Sequence, residues 1–310
     1  MDSVLRNYRS KYRLLLLLFS CSSVFAQDPH PTFKHYTVEQ GLASSEVYQV
    51  RQDSKGYIWF ATGNGVSRFN GYEFENFSIK DGLPENTIFE IYEDPFERIW
   101  FVSLACKLSY YYKGKIYPFR YNDQIQKMVV NPLKTSFCVD KNGTIFLGLS
   151  RFGILQISKN GTFKQLFPKY TQYAINVIEP KPSELIFSYY FGPSFRAINF
   201  QTQTHHELLK FPLKDSTRAL GGSGRMIRLK NNDYLMGIGN YLYRFDHTDI
   251  NQYTADKLPA TIIWVYEDDE DDIWVGTIYG GVYYLPKGNF QQKKCFLNGF
   301  AVNCVLQDKE

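Results

Sequence analysis

Aspartates in short turns, together with the acidic run EDDEDD at residues 267–272, are the side chains whose chemistry could bind a cation. Carboxylates and turn carbonyls are the ligands that calcium prefers. The turns lack both the D-x-D-x-D-G spacing and the closing glutamate of a calcium loop. We therefore interpret the aspartates as turn-capping residues, and the acidic run most simply as a solvated turn. The sequence predicts no metal and no cofactor.

The histidines form no catalytic pattern. His205 and His206 are adjacent, so on a strand they would point to opposite faces, which does not suit one metal ion. The other three are scattered: His30, His35 and His247. GGSGR at residues 221–225 precedes a strand rather than a helix and is interpreted as a connection, not as a phosphate loop. No Ser/His/Asp order or carboxylate pair forms a recognisable motif, and no catalytic residue is assigned.

Aromatic clusters at residues 110–112, 189–191 and 283–284 are open to two interpretations. In stacked sheets, alternate residues of a strand are buried, so packing between sheets is the simpler explanation. The functional alternative is a stacking surface for a sugar or another ring-bearing ligand at the end of a sheet.

The elements that carry these residues belong to a repeat. A turn followed by an apolar pair recurs as DSKGYIW, DPFERIW, DKNGTIF, KNNDYLM and DDEDDIW, with a degenerate copy KPSELIF. The last residues of the copies lie at 59, 100, 146, 187, 236 and 274, separated by 41, 46, 41, 49 and 38 residues. A period in the forties made of strands is typical of a β-propeller. We predict an all-β propeller of four-stranded blades, with about six blade units plus the first strand of another.

The first unit supplies the template, with strands predicted at 47–52, 57–62, 66–70 and 72–78 and blades beginning at about residue 47. The signature residues of the repeat are interpreted as structural and are Asp53, Gly56, Trp59, Thr62, Gly65, Gly71, Asp94, Trp100, Asp140, Gly143, Asp268, Trp274 and Thr277. Glu97 and Asp271 stand where the first unit has Gly56. Because they tolerate left-handed backbone less well, we expect those two turns to have a different shape.

Both ends of the chain match parts of a blade. HYTVEQGL at 35–42 aligns with NFSIKDGL at 76–83, which predicts an N-terminal closing strand near 33–40. Residues 302–310 align with 47–56, so the chain is expected to end inside a further blade. The ring is thus predicted to be incomplete and the sequence to be the front part of a longer protein.

The N-terminus predicts export. Four basic residues between 6 and 13 precede the apolar run 14–19 and the small-residue pattern before Gln27. This is the organisation of a secretory signal peptide cleaved after Ala26, giving a signal peptide at 1–26 and a propeller domain at 27–310. The alternative is a lipoprotein box with acylated Cys21, which Phe19 fits poorly.

Charge and cysteine content narrow the partners. Of the formal charge of +4, residues 1–26 carry +3, so the mature chain lacks the basic footprint of a nucleic-acid-binding protein. Cys106, Cys138, Cys295 and Cys304 show no metal-site spacing. Free or buried thiols are favoured over a disulfide, which an exported chain could also form.

Five features resemble the two-component regulator propeller repeats found in periplasmic sensor regions of Bacteroidetes histidine kinases. They are the Gly-Leu pairs at 41–42 and 82–83, the D-x-x-G-x-I-W turn, the T-x-x-G-hydrophobic-x-R turn at 62–68, Asn-Gly-aromatic at 70–72, and the forty-residue period. The resemblance is close over 33–108, moderate over 260–310 and faint over 113–255.

That resemblance implies a receptor on the periplasmic side of the inner membrane, homodimeric in its full form, that binds an extracellular ligand such as a carbohydrate. Its membrane span and kinase region are absent from this sequence, so this chain is not itself expected to be an enzyme or to touch the membrane. Two alternatives stay open: a secreted propeller enzyme of the lyase or glycosidase type, and a secreted protein-binding scaffold.

Overall fold

A computed structural model describes residues 35–129, 134–149, 152–166, 175–180, 184–189, 194–199, 205–210, 223–246, 249 and 252–308. Within these ranges no helix is long and apolar enough to cross a membrane. The predicted signal peptide and its cleavage site at Ala26 and Gln27 lie outside the described residues, as do His30 and His247.

The structure is an all-β propeller. Six sheets each contain four antiparallel strands that pair in sequence order. The strands of the first three sheets are β1 Val47–Gln52, β2 Ile58–Thr62, β3 Gly65–Phe69, β4 Phe74–Phe77, β5 Ile88–Glu93, β6 Ile99–Ser103, β7 Leu108–Tyr112, β8 Lys115–Pro118, β9 Lys134–Val139, β10 Ile145–Leu149, β11 Gly153–Ile157 and β12 Phe163–Leu166. Those of the last three are β13 Ile175–Pro180, β14 Glu184–Tyr189, β15 Ser194–Asn199, β16 His205–Lys210, β17 Ser223–Arg228, β18 Tyr234–Ile238, β19 Tyr241–Phe245, β20 Tyr253–Lys257, β21 Ile262–Glu267, β22 Ile273–Thr277, β23 Val282–Leu285 and β24 Lys294–Phe296. The predicted propeller of four-stranded units is confirmed.

One α-helix, α1 Asn122–Met128, follows the second sheet, and its Ile125 side chain is fully buried. The Asn122 side chain bonds both backbone groups of Leu108, which fixes the helix to β7. The 3₁₀ helices are Val38–Gln40, Ile79–Asp81, Pro286–Gly288 and Phe290–Gln292.

The core lies between neighbouring sheets, because both faces of each inner strand are covered. Trp59 of β2 is fully buried and contacts the rings of Phe77, Phe101 and Tyr111. Two of these rings belong to the second sheet. Trp100 repeats the arrangement one sheet further on, contacting Phe137 of the third sheet at 5.4 Å between ring centroids.

The turns at Glu97 and Asp271 have the same shape as the turn at Gly56, so the expectation of a different shape is wrong. Their φ angles are 60° and 63°, both left-handed like the 90° of Gly56. In all three turns this residue's N–H donates to the carbonyl of the aspartate three positions earlier, at 3.0–3.1 Å. The hydrogen-bonded turn therefore imposes the left-handed backbone on residues that do not favour it.

The segments at residues 37–41 and 78–82 have the same structure, as the alignment of 35–42 with 76–83 predicts. Thr37 and Ser78 each cap a 3₁₀ helix through a reciprocal capping box, and the helices end at Gly41 and Gly82 with φ of 105° and 109°. Residues 38–40 thus form a 3₁₀ turn rather than part of the closing strand predicted near 33–40. Residues 33 and 34 lie outside the described part of the chain, so the strand itself stays a prediction.

The chain after these two segments differs in a hydrogen bond to a serine hydroxyl. The N–H of Ala43 donates to Ser67 Oγ at 2.9 Å, and that hydroxyl also donates to Asn76. The repeat places Pro84 and Ser109 in the corresponding positions of the next unit. Proline has no N–H to donate, and the buried Ser109 Oγ has no hydrogen-bond partner among the described residues.

Residues 301–308 pair with no strand, but they make the contacts of an inner strand. We call the first strand of each sheet, such as β1 or β5, its inner strand. The side chain of the third residue of an inner strand bonds the backbone of the fourth residue in the next inner strand. For example, the N–H of Ile91 donates to Gln49 Oε1 at 2.6 Å. In the same way, Trp264 Nε1 donates to the Val305 carbonyl at 3.2 Å. The series continues around the ring, since Cys304 Sγ lies 3.2 Å from the Val50 carbonyl.

Replacing Glu97 by glycine should stabilise the chain, because a residue with a Cβ pays about 1 kcal/mol for left-handed backbone. We expect E97G to raise the free energy of unfolding by about 1 kcal/mol in urea denaturation. E97A is the matched control, because it removes the same ion pair to Lys55 but keeps the Cβ. Equal stability of the two variants would contradict this explanation.

The two serines should respond differently to the same change. Ser67→Ala removes an acceptor from the Ala43 N–H and should destabilise the chain by about 1 kcal/mol. Ser109→Ala removes a hydroxyl that has no partner and should be neutral or stabilising. The measurement is the unfolding midpoint of both variants, and a larger loss for S109A than for S67A would show that the two hydroxyls are wrongly assigned.

Candidate functional site

The signature aspartates are buried and hold the turn and the following strand together. Asp53 Oδ1 accepts the N–H groups of Lys55 and Tyr57 at 2.9 and 3.0 Å. Its other oxygen accepts the indole N–H of Trp59 at 2.7 Å. Asp53 is only 4% exposed, so these bonds replace the water that the carboxylate loses.

The same arrangement recurs in the second and sixth sheets. Asp94 accepts from Trp100 at 2.8 Å, and Asp268 accepts from Trp274 at 2.7 Å. Both aspartates also accept two turn N–H groups. The spacing of six residues from carboxylate to indole therefore has a structural role at these turns.

The third and fifth sheets show the same position without the tryptophan. Asp140 accepts the N–H groups of Asn142 and Thr144, which lie on either side of Gly143 in the turn. The ring of Phe146, however, has no N–H to donate. In the fifth sheet both partners are apolar, with buried Leu229 in place of the aspartate and buried Leu235 in place of the tryptophan. The carboxylate is thus kept without the indole in the third sheet, and both are replaced in the fifth.

The remaining signature residues also serve turns. Thr62 Oγ1 donates to the Gly65 carbonyl and Thr277 Oγ1 to the Gly281 carbonyl, both at 2.8 Å. Gly65 has φ of 105°, and a Cβ there would lie 2.2 Å from the Phe77 carbonyl oxygen. Gly71 follows Asn70, whose side chain accepts two backbone N–H groups of the hairpin turn.

The acidic run at 267–272 is bonded to a lysine of the preceding sheet's turn. Lys230 Nζ donates to the carbonyls of Asp268 and Asp269 and to Asp271 Oδ1, at 2.7–3.0 Å. The hydrogen bond to Asp271 raises the pKa of Lys230. Across the described ranges, no three His, Cys, Asp or Glu side chains converge as metal ligands.

Asp272, the last residue of the run, accepts the Tyr284 hydroxyl at 2.6 Å. This hydrogen bond, assisted by burial, raises the pKa of Tyr284 to about 12. Burial favours the neutral form of Asp272, but the bonds from Tyr284 and from the Lys287 N–H outweigh it and lower the pKa of Asp272. Tyr284 of the 283–284 cluster therefore serves the turn.

The other candidate residues are not assembled into a site. His205 and His206 are the first two residues of β16. Of the predicted connection at 221–225, Gly221 and Gly222 lie outside the described residues, and Ser223–Arg225 lie in β17. The four cysteines are free thiols. Burial raises the pKa of Cys138, which makes that thiol unreactive.

The aromatic cluster at 110–112 is divided between packing and an open cavity. Tyr111 contacts Trp59 and Phe77 between the first and second sheets, as the packing interpretation predicts. Tyr110 and Tyr112 point the other way and line a cavity of about 450 Å³ between the second and third sheets. Both interpretations therefore apply, to alternate residues of one strand.

The cavity is lined by aromatic rings and cations, with no acidic side chain among the described residues that line it. Its lining residues are Phe96, Arg98, Trp100, Tyr110, Tyr112, Pro118, Phe119, Arg120, Tyr121, Gly143, Ile145, Ile157, Ser158 and Lys159. A cavity of this size with convergent polar groups is the usual form of a small-molecule site. We take it as the candidate functional site.

The three cations of the cavity differ in their partners. Arg98 Nε is paired with the buried carboxylate of Asp94 at 2.6 Å. Arg120 lies over the Tyr121 ring at 4.7 Å and donates to its hydroxyl at 2.8 Å. Lys159 Nζ lies 5.9 Å from the centre of the Phe96 ring. No carboxylate in the described ranges pairs with Arg120 or Lys159.

Sequence reasoning found Tyr110 and Tyr112 but missed the rest of the cavity. Its walls come from turns and strands separated by about sixty residues, and nothing in the repeat links them. One signal was available: the interval from residue 100 to 146 is 46 residues, longer than the 41 of the preceding interval. The segment after β8, which contains Phe119, Arg120, Tyr121 and α1, lies within this longer interval.

Comparison with known proteins supports the resemblance. Residues 41–64 match the family described as two component regulator propeller. A 64-residue segment is 33% identical to histidine kinase P4 of Formosa agariphila, covering 21% of this chain and 5% of that protein. The resemblance to the two-component regulator propeller is thus confirmed.

Solved structures share the fold. The extracellular domain of the hybrid two component system BT3049 from B. thetaiotaomicron superposes with a TM-score of 0.68 at 17% identity, covering 89% of this chain and 39% of that one. Virginiamycin B lyase from Staphylococcus aureus gives 0.64 at 16% identity, covering 81% and 85%. This chain therefore spans about two fifths of the sensor domain, and at these identities the likeness concerns the fold alone.

A double-mutant cycle should detect the carboxylate–indole bond. The Asp53→Leu and Trp59→Phe changes should be coupled by about 1–3 kcal/mol in the free energy of unfolding, because either change alone leaves a buried polar group unpaired. Asp140→Leu with Phe146→Leu is the control cycle, since the Phe146 ring cannot donate a hydrogen bond to the carboxylate. Similar coupling in the two cycles would mean that packing, not the hydrogen bond, joins the pair.

Proposed function

We propose that this chain is the ligand-binding part of an exported sensor, on the periplasmic side of the membrane, in a two-component receptor. The match of residues 41–64 to the regulator propeller family is the observation that carries the proposal. The histidine kinase relative and the extracellular sensor domain support it, because both printed descriptions belong to two-component signalling. The N-terminal export pattern agrees with a location outside the cytoplasm.

The proposed ligand site is the cavity between the second and third sheets. A ligand there would touch β7 and the segment after β8 on one side and the turns of the third sheet on the other. Binding would favour one relative placement of these two sheets over others. In a homodimeric receptor, such a preference could shift the population of two signalling states.

A propeller enzyme of the lyase type is the second candidate, favoured by the fold it shares with virginiamycin B lyase over most of both chains. Catalysis needs an acid or base within reach of a bound substrate. The cavity has no carboxylate or histidine in its lining. Its polar groups are cations, phenols and one serine, which suit binding better than proton transfer.

The test is a thermal-shift screen of the exported chain against neutral and charged saccharides, followed by mass spectrometry of each compound that binds. We expect at least one saccharide to raise the melting temperature and to be recovered unchanged, because a ligand of the native state stabilises it by mass action. Recovery of a cleaved or eliminated product would favour the lyase. A chain that stays in the cytoplasm when its N-terminal segment is intact would remove the sensor proposal.

A further inference from the structure

The cavity between the second and third sheets has a chemistry that selects its ligand. Aromatic rings from the second sheet and the segment after it form one wall, including Trp100, Tyr110 and Tyr121, and the third sheet contributes Ile145, Ile157 and Lys159. Such rings stack on the flat apolar face of another ring. A ligand with a planar or sugar ring therefore suits the walls.

The walls are held in place before any ligand arrives. Trp100 contacts Phe119 at 5.4 Å, and Phe119 contacts Tyr121 at the same distance between ring centroids. Tyr121 in turn packs edge-on against Phe163 of the third sheet. At Gly161, a Cβ would lie 2.2 Å from the Tyr121 hydroxyl, so the glycine leaves the room that this ring occupies. A fixed aromatic wall lowers the entropy lost on binding.

The charge of the cavity is unbalanced. Arg98 is compensated by Asp94, whose carboxylate is fully buried behind the wall. Arg120 and Lys159 are exposed, and their described contacts are with aromatic rings and a phenol rather than with a carboxylate. Two uncompensated cations at one cavity produce a positive potential that favours an anion.

We propose that this cavity binds a small anionic ligand in which a carboxylate, sulfate or phosphate is attached to a ring. The anion lies against Arg120 and Lys159, and the ring stacks on the aromatic wall. Arginine suits this role because its planar guanidinium donates two parallel hydrogen bonds to an oxyanion. The inference rests on the proposed binding function and adds the class of ligand.

The test compares acids with neutral compounds of the same ring. Isothermal titration calorimetry of the 310-residue chain would use glucuronate against glucose, and 4-hydroxybenzoate against 4-hydroxybenzyl alcohol. We expect at least one acid to bind about tenfold or more tightly than its neutral counterpart, and its affinity to fall as salt is added. The first pair tests a sugar ring as the carrier of the anion, and the second an aromatic ring.

Variants locate the binding. In R120Q/K159Q the affinity for the acid should fall by about 10- to 100-fold, because the charge-assisted hydrogen bonds to the anion are lost. K115Q/K127Q removes the same net charge from exposed lysines that do not line the cavity, and its affinity should be unchanged. Quenching of tryptophan fluorescence by the acid should be lost in W100F, since Trp100 lines the cavity.

Three results would overturn the inference: equal affinity for acid and neutral compound, no binding of either acid at millimolar concentration, or full affinity in R120Q/K159Q. A neutral saccharide that stabilises the chain regardless of these two cations would leave the sensor function standing and remove the anionic ligand. An acid that binds at the cations but is converted to product would support the anionic ligand and contradict the sensor function.

Discussion

The hydrogen bond from a tryptophan indole to a buried aspartate is the interaction on which the first, second and sixth sheets depend. A carboxylate that is 4–5% exposed is costly unless several donors replace its water. Two turn N–H groups and the indole supply them, so the aspartate fixes the turn and the orientation of the tryptophan together. Because that tryptophan packs against the next sheet, a local turn determines a contact between sheets. The fifth sheet avoids the cost with Leu229 and Leu235, where neither partner is polar.

The fold could be predicted because the repeat records this interaction. Aspartate, indole six residues later and a period in the forties place the strands, and β1 begins and ends at the predicted residues 47 and 52. The turn at Glu97 could not be predicted, because its backbone follows from bonds that Asp94 makes with residues on both sides. Side-chain preference is a weaker influence than a buried carboxylate that needs those donors.

The cavity was harder to predict for the opposite reason. Only some of its residues, such as Trp100 and Gly143, belong to the repeat, and its two sides meet because the second and third sheets are neighbours. Tyr110 and Tyr112 were recognisable as an aromatic cluster, whereas Arg120 and Lys159 are ordinary exposed cations in the sequence. Their distinction is the absence of a carboxylate partner, which depends on three-dimensional placement. Binding residues of a repeat protein are therefore better sought where the period lengthens than where it is most regular.

A second series of bonds defines the geometry of the ring. The side chain of the last residue of an inner strand accepts an N–H from the turn of the preceding sheet. The donor is the residue after the turn aspartate, or after Leu229 in the fifth sheet. Glu93 accepts from Ser54 in this way, and Glu267 accepts from Lys230. Gln307 accepts from Asp269 in the same way, at 2.7 Å. Residues 302–307 therefore occupy a seventh inner-strand position, next to β21 on one side and β1 on the other. The corresponding acceptor of β1 is Gln52, whose buried Oε1 has no donor in the described ranges. Among the described residues, the six four-stranded sheets and this seventh inner-strand position together account for the contacts made by β21 and β1.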